Sequence, residues 1–462
     1  MASTYAQPGP KRQRVKDVKA TENTDYFQGI DKVEYNNMAG PQEAGYRHYH
    51  AGERVNGRAM EEWLKYSVSL TEFRNNGSDK HGRPTYQRAW DDHTSSLDSY
   101  KRCIKACFDF CSKLGVKYFT AFDSDLVPPA DSWEEYKNNW EDVTEFIQEH
   151  VQRTHVKLLW IAPDLHSHAR FASGAMTSND AITFAHAASQ IKKCLEISQR
   201  LNCECFLLWP HREGYESLFQ SDIAREIKLF SKLLKITADY KERLAYRCQM
   251  LIMPYYRSSY GSGNQEYDRS FREEERIHRY MWDVTSCLFF LKNYNLERFY
   301  KVCAPPGHHM FMANVYNMLG GVFLSDEWNQ YDSRRLTLMM KCIIDQGACP
   351  SAGINLKLTP RRDGTELRDL VCAYSRCVDA GARALRVACG VGNEQVFSKH
   401  LQQRYSSYHS GYGARIVSGE LSMEECEEYY KKNQHQSHEQ STSKADHMEM
   451  VFQRYIDSCE QI

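Results

Sequence analysis

The hydrophobic pattern of this chain alternates between short apolar runs and longer stretches with helical spacing. Val156–Trp160 and Cys205–Trp209 are too short for helices and are bounded by Pro163 and Pro210. Between them, Ile182, Phe184, Ala185, Ala188, Ile191, Leu195 and Ile197 recur at helical spacing from Asp180 to Leu201. Two buried strands joined by a helix form a βαβ unit, which requires parallel pairing. Further strands are predicted at Tyr66–Phe73, Val116–Phe122, Gln249–Pro254, Phe299–Pro306 and Gly353–Leu358. Helices are predicted at Leu97–Leu114 (with Gly115 just past its end), Ser221–Arg247, Arg276–Leu291 and Glu366–Ala388. About eight strands alternating with helices predict an α/β chain folded as a (β/α)8 TIM barrel.

Composition narrows the partners. The 462 residues are 42% hydrophobic, with 59 basic and 60 acidic side chains and a formal net charge of -1. That balance offers no whole-chain attraction for nucleic acid or an anionic membrane. Mean hydropathy is -0.66, and no apolar run approaches the ~20 residues of a membrane span or forms a signal core. Of the 16 cysteines, Cys103, Cys107 and Cys111 share a helical face, and no C-x-x-C pair exists. They read as buried thiols in a reducing, cytoplasmic compartment.

The chain divides into a basic arm (1–25), an extension (26–65), the barrel (66–388), a C-terminal arm (389–430) and a polar tail (431–462). Lys11–Lys16 is open to a nuclear address, but a solvated, disordered arm is the preferred reading. The tail is low in apolar residues until Met448, Val451, Phe452, Tyr455 and Ile456 form a helical stripe. That stripe is expected to dock on a protein partner or on the oligomer.

Several motifs occur in a family's order: LLW at 158–160, GAMTSND at 174–180, AASQIKKCLEI at 187–197 and REGYE at 212–216. On these the chain resembles the longer, second class of xylose isomerases, from about residue 26 to 430. The resemblance implies a dimer or tetramer, with Arg404–Tyr408 and Gly411–Gly419 in an arm that wraps a neighbouring subunit. It also implies an aldose–ketose isomerase site using two divalent cations, Mg²⁺ or Mn²⁺.

The site residues depart from that pattern. Phe122 stands where the family's His assists ring opening, while Asp123 and Asp125 are kept. An Asp pair can act as an acid/base dyad, but capping and loop hydrogen bonding are the preferred role. Met253 and Tyr255 replace a metal-bridging Glu and a substrate-holding Lys. Pro305, Phe323 and Lys357 replace further carboxylate ligands, leaving His308 as the retained member of the metal shell. Lys80-His81 replaces a Pro-Phe pair in the Gly77–Gly82 loop. His166 and His168 read as surface residues.

Thioether, ring and ammonium groups do not hold hard cations. The expectation is therefore a catalytically inactive xylose isomerase relative with no cofactor and a structural, assembly or binding role. Two alternatives stay open. One is a metal-dependent aldose–ketose isomerase. The other is a sugar-binding protein taking a pentose or polyol through Trp160, Asp123, Asp164 and Lys357, although Lys357 can equally be a core-facing or solvated residue.

Overall fold

The computed structural model describes residues 24–38, 40, 45–74, 88–130, 132–256, 277–325, 332–358, 364–434 and 444–458. Lys11–Lys16, the Gly77–Gly82 loop and residues 257–276, 326–331, 359–363 and 435–443 lie outside them.

Eight strands close into a barrel in chain order: β1 Tyr66–Ser69, β2 Tyr118–Phe122, β3 Lys157–Ala162, β4 Cys205–Leu208, β5 Gln249–Ile252, β6 Tyr300–Ala304, β7 Leu319–Ser325 and β8 Ile354–Lys357. Each pairs in parallel with its successor, and β8 returns to β1 through Ile354↔Tyr66 and Leu356↔Val68. The connecting helices are α1 Leu97–Leu114, α2 Trp133–Thr154, α3 Ala181–Arg200, α4 Ile223–Arg243, α5 Val284–Asn293, α6 His308–Val315, α7 Ser333–Asp345 and α8 Leu367–Asn393.

Local chemistry sets the helix ends. Gly115 caps α1 with φ 68°, and Asp180 begins α3 by accepting from the Thr183 N–H. Several boundaries differ from the sequence pattern, with α4 ending at Arg243 and α8 running on to Asn393. β1 stops at Ser69, because a helical turn, Thr71–Arg74, follows, with Phe73 N–H and Arg74 N–H both donating to Leu70 O. The helix predicted from Arg276 begins only at Val284, where Asp283 and Ser286 form a reciprocal capping box. His278–Arg279 instead pairs antiparallel with Gly214–Tyr215.

One apolar cluster lies inside the barrel: Leu159, Trp160, Cys205, Leu207, Leu251, Met253 and Cys303, with Phe122, Trp209 and Phe323 packed against it. At the N-terminal ends of the strands, Lys65 donates to Glu204 Oε2 (2.5 Å) and Ser351 O (2.8 Å), and Tyr118 donates to Glu204 Oε1 (3.0 Å). A larger core fills the space between barrel and helices. Residues before β1 join it through Phe27, which packs on Trp90 and Phe110. Arg386 of α8 clamps Glu53 of the same segment at 2.6 and 2.7 Å.

Beyond α8 come α9 Val396–Arg404, α10 Gly411–Ser418, α11 Met423–Asn433 and α12 Ala445–Ser458. The tail stripe is spent within the chain. Phe452 and Ile456 of α12 bury against Val387 and Val391 of α8, and Arg383 donates to Ile456 O (2.7 Å). Among the described residues of α9–α11, only Gly413 is buried. Leu401, Tyr405, Ile416, Val417, Met423 and Tyr430 are exposed. The described cysteines are free and most are buried, and no described helix is long and apolar enough to cross a membrane.

Candidate functional site

In a closed parallel barrel, chemistry gathers where strands end and βα loops begin. Phe122, the last residue of β2, lies against Trp160 (6.4 Å between ring centroids), Trp209 (5.7 Å) and His166 (5.6 Å). The position that resembles a ring-opening His is thus part of an aromatic wall.

The two aspartates after Phe122 turn away from one another's chemistry. Asp123 Oδ1 accepts from the N–H groups of Asp164 (2.7 Å) and Ser124 (2.8 Å), while its Oδ2 accepts from Gln190 Nε2 (2.7 Å). Asp125 Oδ2 accepts from Phe122 N–H (3.0 Å) and Thr71 Oγ1 (2.7 Å). Burial raises both carboxyls above the usual range, Asp125 to about 6. Both serve the frame of the βα loops.

The loop after β3 holds Asp164, whose Oδ1 accepts from the N–H groups of Ser167 (2.9 Å) and His166 (3.2 Å). The same oxygen lies 3.0 Å from His166 Nδ1. Burial opposes the Asp164 charge, but His166 and Ser167 outweigh it and hold this carboxyl well below the usual range. His166 is not the surface residue expected: its side chain is 20% exposed and sits beside Trp209 (4.8 Å) and His211 (5.3 Å). His168 is exposed, its Nδ1 accepting from Arg170 N–H (3.0 Å).

From the loop after β4, His211 packs on Trp209 (4.6 Å) and Tyr255 (5.8 Å). Burial, then Arg279, pushes its imidazole down to about 3, so it is neutral at ordinary pH. The Arg279 guanidinium lies 4.0 Å over the Tyr255 ring. The sequence reading takes His166 for a surface residue and passes over His211. The available signal was position: A-P-D-L-H and W-P-H-R each follow a barrel strand directly.

The remaining positions scatter. Met253 is buried in the inner apolar cluster, and Phe323 packs against it. Pro305 is buried after β6. His308 opens α6 as an exposed residue. Lys357 Nζ pairs with Glu72 Oε1 at 3.9 Å.

The motifs that carry the resemblance perform a structural task. Buried Glu213, within REGYE, accepts from the N–H groups of Ala175 (3.1 Å), Met176 (3.0 Å) and Thr177 (2.9 Å), and from Thr177 Oγ1 (2.5 Å). This cradle joins the loops after β3 and β4. Gly174 enters it at φ +83°, where an added Cβ would meet Thr177 Oγ1 at 2.3 Å.

A closed parallel (β/α)8 barrel with polar groups gathered at its C-terminal mouth is the architecture of TIM-barrel enzymes. The XylA2 C-terminal domain family matches residues 401–456, so the tail stripe lies within that family and not beyond it. The xylose isomerase of Thermoanaerobacterium saccharolyticum is 31% identical over 424 residues, covering 87% of this chain and 93% of the relative. That of Enterococcus faecalis is 31% identical over 431 residues, covering 88% and 94%. Overlap with a solved D-psicose 3-epimerase from Clostridium cellulolyticum H10 is partial, with TM-score 0.42 at 11% identity, covering 71% of this chain and 99% of that one. The chain belongs to the xylose isomerase family.

This kinship corrects the expectation of a chain without a cofactor: xylose isomerases about 30% identical over most of the chain point to divalent metal cofactors. The side chains at the positions resembling the ligand set do not fit such ions. Met253, Pro305, Phe323 and Lys357 present no anionic oxygen. Among the described residues, no group of three or more His, Cys, Asp or Glu side chains is placed to hold a metal.

Proposed function

We propose that this member of the xylose isomerase family binds a pentose or polyol at its barrel mouth without interconverting aldose and ketose. The observation that carries the reading is the replacement at Phe122 and Tyr255. A ring and a phenol stand where the resemblance implies a proton-moving imidazole and a substrate-holding ammonium. Phe122 extends the aromatic surface formed with Trp160 and Trp209, Tyr255 adjoins it through His211, and aromatic faces suit the C–H faces of a sugar. Self-association as a dimer or tetramer belongs to this reading, and the exposed apolar side chains of α9–α11 support it. The free, mostly buried cysteines lend support to a cytoplasmic setting.

A second reading, metal-dependent aldose–ketose isomerase, is favoured by whole-chain similarity to named xylose isomerases. One experiment separates the two. Thermal shift and calorimetry with xylose, glucose, xylitol and sorbitol are run beside coupled turnover assays containing Mg²⁺ or Mn²⁺. Binding without turnover is expected. Metal-dependent turnover of xylose or glucose replaces the first reading with the second, and the absence of any sugar response removes the first outright.

A further inference from the structure

We propose that Lys357 and Ser325 form an anion subsite at the barrel mouth, so that the ligand is a pentose or polyol carrying a phosphate monoester and not a neutral sugar. The inference rests on the sugar-binding reading and names the substrate class within it.

Placement is the first argument. Ser325 is the last residue of β7 and Lys357 the last of β8, and the two are register partners. Neighbouring strands run about 4.8 Å apart, so the two side chains leave the sheet side by side. Strand alternation turns both toward the barrel axis. Phe323, two residues before Ser325, packs against the inner apolar cluster. Ile354 and Leu356 belong to the outer core, which leaves Asn355 and Lys357 on the inner face. Asn355 reaches across that face to Ser67 Oγ (3.1 Å) and Thr120 Oγ1 (2.8 Å), so this side of the barrel is polar.

The second argument is chemical. Ser325 is 7% exposed, and its Oγ has no hydrogen-bond partner among the described residues. Such a hydroxyl is shielded from water and suited to an acceptor that a ligand brings. Lys357 supplies the charge. Its side chain keeps 40% exposure, and its ion pair with Glu72 is long, at 3.9 Å. An ammonium has three donors, so one pairing leaves others for a second anion. An ammonium and a hydroxyl at the ends of the seventh and eighth strands match a phosphate group, which barrels of this type frequently seat there.

The third argument is the opposite rim. In a closed ring of eight strands, β7 and β8 face β3 and β4. Trp160 stands on β3 and Trp209 directly follows β4, both against Phe122. A sugar phosphate has the same two characters, C–H faces for the aromatic wall and a charged end for the far side. Glu72, its side chain 8% exposed, competes with the phosphate for the ammonium and moderates its affinity.

The test is calorimetry of the full chain with D-xylose and D-ribose, their 5-phosphates and inorganic phosphate, all at one ionic strength. Each 5-phosphate is expected to bind about tenfold or more tighter than its parent sugar and than inorganic phosphate. Lys357→Met should erase that preference with parent-sugar affinity little changed, and Lys357→Arg should keep it. Ser325→Ala should weaken binding of the 5-phosphates alone. Glu72→Gln should tighten it, a gain that a purely structural Glu72–Lys357 pair would not give. Equal affinity for parent sugars and their 5-phosphates, or a Lys357→Met chain that keeps the preference, overturns the anion subsite while the sugar-binding reading stands. Inorganic phosphate bound as tightly as a 5-phosphate overturns the sugar phosphate as ligand. No response to any sugar, phosphorylated or not, overturns both readings.

Discussion

At the residue scale, the buried acids separate frame from chemistry. Asp125 binds its proton more tightly in the folded chain, because burial lifts it from 3.8 to about 6. Its contribution is therefore whole at low pH and is lost as pH rises through about 6. The expected loss is on the order of 3 kcal/mol. Urea unfolding from pH 4 to 7 should show the native chain weakening across this window and Asp125→Asn weakening less. Asp123 and Glu213 shift in the same direction, so some slope remains. Glu213→Gln turns an amide donor toward a cradle made of donors and should cost about 1–3 kcal/mol, read as a lower thermal midpoint. Residue types made the substitutions at Phe122, Met253, Tyr255, Pro305, Phe323 and Lys357 visible in the sequence. They did not reveal the partners of His166, because a loop has no fixed period to say which side chains face inward. Asp164 and His166 meet through a turn of backbone hydrogen bonds that hydrophobic patterning does not encode.

At the element scale, the strands were legible wherever they are continuous apolar runs, as β3 and β4 are, since a sheet buried on both faces requires that pattern. Helix α2 was not. Its buried Trp140, Val143 and Ile147 are diluted by charged residues on a broad solvent face. The start of α5 was displaced because the Asp283–Ser286 capping box overrides the apolar periodicity before it. The stripe of α12 was legible as an amphipathic helix, but nothing in its own spacing identified α8 as the surface it covers. Phe452→Ala should weaken that docking by about 3 kcal/mol. Faster hydrogen exchange in 445–458, with the barrel's unfolding midpoint little changed, is the expected result.

At the scale of the whole molecule, the barrel follows from alternation, whereas its closure is a long-range fact. The pairing of Ile354 with Tyr66 joins residues near opposite ends of the fold. Light scattering is expected to give a mass that is a multiple of 53.8 kDa. Leu401→Glu combined with Val417→Glu places charges on exposed apolar positions of the arm and should shift the population toward the single chain.

The ion pair and hydrogen bonds of Lys65, Tyr118, Glu204 and Ser351 seal one end of the strands, and the apolar cluster above them fills the interior. The barrel is therefore closed at this end and open only at its mouth. Whatever enters must leave by the rim it crossed on arrival, so the same few side chains govern admission, dwell time and release. A slow-leaving ligand would then block the next one.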